Sequence, residues 1–109
     1  MKTWDVVLTA SAETDLDEIY SYIAETLLAP VTAWRQTARI LKAIFKLDEM
    51  PERCPLLANE PWHSRGLRRL TIDNYSAIYE IDASVNRVSV VAIVYSKRNI
   101  DNVLRQEDW

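Results

Sequence analysis

Seven side chains able to hold an anion or polarise a hydroxyl fall in the second half of the chain: Arg68, Arg69, Tyr75, Tyr79, Tyr95, Lys97 and Arg98. Guanidinium, ammonium and phenol groups gathered in one concavity bind phosphates, stabilise a pentavalent phosphorane or dock an acidic helix. The residue types alone do not choose among these roles, and a solvated charged face on a sheet is the plain alternative. Other reactive types are isolated. His63, the one histidine, stands beside Trp62 in a loop and reads as a surface or packing residue rather than a general acid. Cys54, between Arg53 and Pro55, has no second thiol and reads as a buried, inert side chain. The N-terminal acids read as a solvated helix face, not as metal ligands. A nucleophile elbow and a paired-histidine helix are absent, and Gly66 alone cannot build a phosphate-cradling loop. No cofactor and no metal are expected.

The elements that must position these groups follow from periodicity. Trp4, Val6 and Leu8 alternate as in a short strand. Ser11 is the expected cap of a first helix, whose Leu16, Ile19, Tyr20 and Ile23 form one apolar stripe. A second helix begins near Pro30 and carries Val31, Trp34, Ala38, Leu41, Ile44 and Phe45 at helical spacing, with Ile40 and Leu47 widening the face. Trp4 and Trp34 are expected in the core. Arg35, Arg39, Lys42 and Lys46 form a basic stripe opposite an acidic first helix, so the two are expected as an antiparallel hairpin with cross-helix charge pairing.

Met50-Pro51 ends that helix. Residues 51–66 read as a long ordered loop with Leu56 and Leu57 turned inward. Trp62 in this loop and Trp109 at the end are placed for exposure, with loop-to-sheet packing the alternative for Trp62. Three antiparallel strands follow, over 67–72, 75–81 and 87–95, joined at Asp73-Asn74 and at 82–86. The last is almost wholly apolar, as befits a central strand covered on both faces. Ile100, Val103 and Leu104 mark a short, weakly held terminal helix. The fold class is therefore α+β: an N-terminal strand, a two-helix antiparallel hairpin, a three-stranded antiparallel sheet and a short C-terminal helix.

Composition sets the outer bounds. The chain has 109 residues, 49% of them hydrophobic, which fits one domain over 1–109 with a real core. It lacks an apolar run long enough to span a membrane and a signal-peptide pattern, so a cytoplasmic protein with no membrane contact is expected. The net charge is −3. Residues 1–50 hold five basic groups against eight acids, whereas residues 63–98 hold six basic groups against three acids. Any contact with nucleic acid must come from that local basic group.

The ordered set Ala12-Glu13-Thr14-Asp15-Leu16-Asp17-Glu18-Ile19-Tyr20-Ser21-Tyr22-Ile23, Met50-Pro51-Glu52-Arg53-Cys54-Pro55, Leu67-Arg68-Arg69-Leu70, Tyr75-Ser76-Ala77-Ile78-Tyr79-Glu80-Ile81 and Val94-Tyr95-Ser96-Lys97-Arg98 resembles the RelE/ParE toxin superfamily. The resemblance runs from about Trp4 to Leu104 and is closer to ParE-like members. It implies the toxin of a bacterial type II toxin–antitoxin module, neutralised by a cognate antitoxin and reaching operator DNA only through that antitoxin. ParE-like members block DNA gyrase. RelE-like members, the alternative, cut mRNA in the ribosomal A site without a metal.

Matching residues to the RelE pattern leaves gaps. The arginine expected after the aromatic residue of the middle hairpin strand is replaced by Ser76, and the later tyrosine falls near Val103 or Leu104. The resemblance therefore implies gyrase binding, with Arg68, Tyr75, Tyr79 and Tyr95 as partner-binding residues. Under the nuclease alternative, Arg69, Lys97 and Arg98 would be catalytic.

Overall fold

The computed structural model describes residues 3–106, so Trp109 lies outside the described residues. Four strands form one sheet in the order β1-β4-β3-β2: β1 (Asp5–Leu8), β2 (Arg68–Ile72), β3 (Tyr75–Asp82) and β4 (Arg87–Tyr95). The three later strands are antiparallel, as their short turns require. β1 adds a fourth, pairing parallel to β4 with Asp5 opposite Arg87 and Leu8 opposite Val90. A parallel neighbour needs a long connection and leaves no local turn signal, so the sequence alone did not place it.

Two helices lie between β1 and β2. Helix α1 (Ala10–Ser21) is capped by Thr9 and not by Ser11: the Thr9 hydroxyl accepts the amide of Ala12 at 3.2 Å. After Ser21 the backbone widens into one π-helical turn, Tyr22–Thr26, and Leu28 has φ +53°. Helix α2 (Pro30–Phe45) begins on proline, whose missing N–H costs nothing in a first turn.

Helix α2 corrects the expected core. Ala33, Ile40 and Ile44, with Leu47 just beyond, face the sheet and are buried. The stripe beside them, Val31, Trp34, Ala38, Leu41 and Phe45, faces away; Trp34 is 66% exposed and Val31 63%. The helix carries two apolar stripes about 3.5 residues apart in period, and spacing does not say which turns inward. The basic stripe is also redirected. Arg39 clasps Asp73 in the β2–β3 turn, at 2.8 and 3.0 Å, and Gln36 joins it at 3.0 Å. Arg35, Lys42 and Lys46 ion-pair with no described residue, so the expected helix-to-helix pairing is absent.

The sheet has a core on each face. Against α1 and α2 lie Ile72, Ala77, Tyr79, Val88, Val90 and Ile93. Against the 51–66 loop and α3 (Ile100–Gln106) lie Ile78, Val91, Ala92 and Val94, with Leu57, Trp62, Val103 and Leu104 packed over them. Between Ile78 and Tyr79 the register slips by one residue: Ala92 faces Ile78 and Val90 faces Tyr79, leaving Val91 as a bulge. β4 is thus central and covered on both sides, as its apolar run implied.

Candidate functional site

Side chains of a strand alternate between faces, and this divides the seven candidate residues. Arg68 and Arg69 are neighbours in β2 and point to opposite sides of the sheet. Arg68 lies opposite Tyr79, on the helical face. Its guanidinium donates to the carbonyls of Glu52 (3.0 Å) and Cys54 (2.6 Å), so it fastens the loop. Tyr79 is fully buried, and its hydroxyl donates to the carbonyl of Pro51. Burial, with the nearby half-buried Cys54, pushes the phenol pKa well up. Both residues therefore work inside the fold.

Tyr75 and Tyr95 face one another at the far end of the β3–β4 ladder. Their ring centroids are 5.9 Å apart with planes tilted by 53°. The phenol of Tyr75 is raised in pKa, first by burial and then by Tyr95 and by Tyr22 of the π turn. The rings thus border a groove of about 490 Å³ between α1 and the end of β4, whose rim includes Asp15, Glu18 and Arg98. Asp15 closes the edge of β4 beyond the end of β1: its carboxylate accepts the Ile93 amide at 3.0 Å.

Arg69 faces the other side. Its Nε donates to the Ser76 hydroxyl at 2.9 Å, and Nη2 donates to the Ser96 carbonyl at 3.4 Å. The two serine hydroxyls are 2.8 Å apart. Arg69, Ser96 and Arg98 line a cavity of about 260 Å³ that also includes Trp62, Asn99 and Asp101. Arg98 is the one candidate shared by both cavities; Lys97 is exposed on the turn after β4 and lines neither.

Residues outside the seven candidates complete these sites. Trp62 takes the packing alternative: it is buried and its indole N–H donates to Asp101 at 2.7 Å. Arg105 bonds the same carboxylate at 2.9 Å, and Arg65 and Arg105 lie 5.7 and 5.6 Å from the indole centroid. Arg105, then Trp62, hold the Asp101 carboxyl below its usual range. His63 has its Nδ1 2.9 Å from the Leu57 carbonyl; since a carbonyl only accepts, that nitrogen carries the proton. Ser76 and Ser96 could have been found only by knowing the strand register. No group of three or more His, Cys, Asp and Glu residues among the described residues is placed to hold a metal ion.

A third concavity, about 640 Å³, lies beside the outer stripe of α2, where Leu41 and Phe45 meet Leu16 of α1 and Leu8 of β1, with Glu13 and Asp17 on its rim. No helix among the described residues is long and apolar enough to cross a membrane.

The sheet, the helical hairpin and the terminal helix are those of a small toxin fold, and the chain belongs to the ParE toxin family of type II toxin–antitoxin systems, whose family model matches residues 6–100. A chain of the chromosomal ParDE system from P. aeruginosa is similar in fold, with TM-score 0.72 and 21% identity over 89% of this chain and 100% of that one. A chain of the RelBE2 toxin–antitoxin complex from Mycobacterium tuberculosis is also similar, with TM-score 0.65 and 23% identity over 87% of this chain and 93% of that one. No curated protein matches the sequence. The protein is thus a toxin of the ParE/RelE type.

Proposed function

We propose that this toxin, one domain over residues 1–109, acts in the cytoplasm by docking on DNA gyrase and is neutralised by a cognate antitoxin. Growth arrest follows from the gyrase contact, plasmid stabilisation from unequal lifetimes of the two proteins, and operator DNA is reached only through the antitoxin. The observation that carries this reading is the outer stripe of α2. Val31, Trp34, Ala38, Leu41 and Phe45 recur at alternating steps of three and four, the spacing of a helix-docking seam. Exposed large apolar side chains in a row mark a protein-binding face rather than a site for chemistry. Arg35 and Lys42 flank the seam and suit an acidic helix in the partner.

A second reading, a ribosome-dependent mRNA endonuclease, draws support from Arg69, Ser96 and Arg98 lining one cavity. Against it, Arg69 is already engaged by two serines and Tyr79 is buried. The test runs gyrase supercoiling and ribosomal mRNA cleavage in parallel on antitoxin-free protein. Inhibited supercoiling with intact mRNA is expected, and Trp34→Glu is expected to abolish the inhibition. Codon-positioned cleavage that disappears in Arg98→Ala would overturn the gyrase reading. Deleting the chain after Lys97 is a poor substitute, because it strips Val103 and Leu104 from the second core.

A further inference from the structure

The groove between α1 and the end of β4 combines phenol rings with carboxylates. Three phenol rings, Tyr22, Tyr75 and Tyr95, meet two carboxylates, Asp15 and Glu18. Tyr22 and Tyr95 are exposed and Tyr75 is part-buried, so ring faces are open to a ligand. Tyr75 and Tyr95 touch as a tilted pair, 5.9 Å between centroids at 53°, and so form one aromatic wall of the groove, where a cation within about 6 Å of a ring centroid is attracted by its quadrupole. Asp15 is fixed by the Ile93 amide, whereas the Glu18 carboxylate makes no hydrogen bond or ion pair with any described residue. The volume, about 490 Å³, lies in the range of small-ligand sites, ~300–1,000 Å³.

We propose that this groove is a receptor for a guanidinium, filled by an arginine side chain of a docking protein; the identity of that protein rests on the function proposed above, the site itself does not. A planar guanidinium stacks on tyrosine faces and offers paired N–H groups to one carboxylate, which an ammonium cannot do. Glu18 is that carboxylate. Asp15 adds negative potential while keeping its hold on β4. Arg98, on the rim, is the opposing charge: it competes with the incoming cation and sets the affinity low until it turns toward the neighbouring cavity, which it also lines.

The test uses the full chain with isotope-labelled tyrosine and the capped amino acid N-acetylarginine N-methylamide as probe. The equivalent citrulline derivative, similar in shape and uncharged, is the control. Saturable shifts of the Tyr22, Tyr75 and Tyr95 ring signals are expected with arginine and none with citrulline. Glu18→Gln weakens binding by about two- to fivefold, the range of one exposed charge pair, and Arg98→Gln tightens it by a similar factor. Equal shifts with citrulline, an unchanged midpoint in Glu18→Gln, or weaker binding in Arg98→Gln would overturn the site. A capped lysine that binds as tightly as arginine would overturn the guanidinium assignment. None of these outcomes depends on gyrase or ribosomes, so the two proposals stand or fall separately.

Discussion

Trp34→Ala and Ile40→Ala, six residues apart on one helix, should behave as if they belonged to different proteins. Ile40 is fully buried against the sheet, and truncating such a side chain costs ~2–5 kcal/mol in lost transfer energy and a residual cavity. Unfolding entropy of about 2.1 cal/mol/K per residue gives ~0.23 kcal/mol/K for 109 residues, so Ile40→Ala lowers Tm by ~9–22 °C. Trp34 is 66% exposed, so its truncation loses only a minor part of its contact. Alanine, the better helix former, returns ~0.5 kcal/mol, leaving a net cost below about 1 kcal/mol and a Tm change below ~4 °C. Thermal unfolding of the two variants, followed by far-ultraviolet circular dichroism, reads both numbers. The order should reverse for the docking partner: Trp34→Ala loses most of its inhibition of gyrase supercoiling, as large exposed aromatics dominate interfaces. Equal thermal losses at the two positions would refute the assignment of the two stripes.

Three further changes probe single contacts. Tyr79→Phe leaves the Pro51 carbonyl without its donor and should cost ~1–3 kcal/mol in urea unfolding at neutral pH. Because burial raises the Tyr79 pKa in the folded state, its contribution is complete below pH ~10 and fades as pH rises through the folded value; an alkaline titration of Tm should be flatter in Tyr79→Phe. Asp73 is held below its usual range, first by Gln36 and then by Arg39, so its contribution is present above the unfolded pKa and is lost as pH falls through the lowered one. Asp73→Asn should therefore shrink the acid-induced drop in Tm between wild type and variant. Asp15→Ala strands the Ile93 amide, and native-state hydrogen exchange should show that amide losing protection ahead of its neighbours in β4.

How much of this was legible beforehand depended on whether the signal was local. The Asp73-Asn74 turn, the proline at the start of α2 and the apolar run of β4 were all readable from short windows, and the structure agrees at each. The cap is Thr9 and not Ser11 because the helix starts at Ala10, directly after β1 ends at Leu8, so Ser11 already lies in its first turn. Trp34 was misplaced because a helix with two apolar stripes offers two equally good inward faces; only the sheet decides. The candidate site was legible in residue type but not in arrangement. Alternation alone sends Arg68 and Arg69 to opposite faces, whereas the union of Arg69 with Ser76 and Ser96 needs the register of three strands.

The bulge at Val91 has a consequence for the tail of the molecule. It places two consecutive residues, Val91 and Ala92, on the same face, so every residue after it has the opposite parity from the one that strict alternation would assign. Ile93 and Tyr95 thereby reach the helical side, and Val94 and Ser96 reach the side of α3. Straightening the bulge with every residue kept would exchange the two sets, taking Tyr95 from Tyr75 and Ser96 from Arg69 and Ser76. Deleting Val91, by contrast, would leave Ala92 opposite Ile78 and every later partner in place. The inserted unit thus shifts the numbering and not the cast: a family member without it would bring the same residues to the same two cavities one position earlier in its strand.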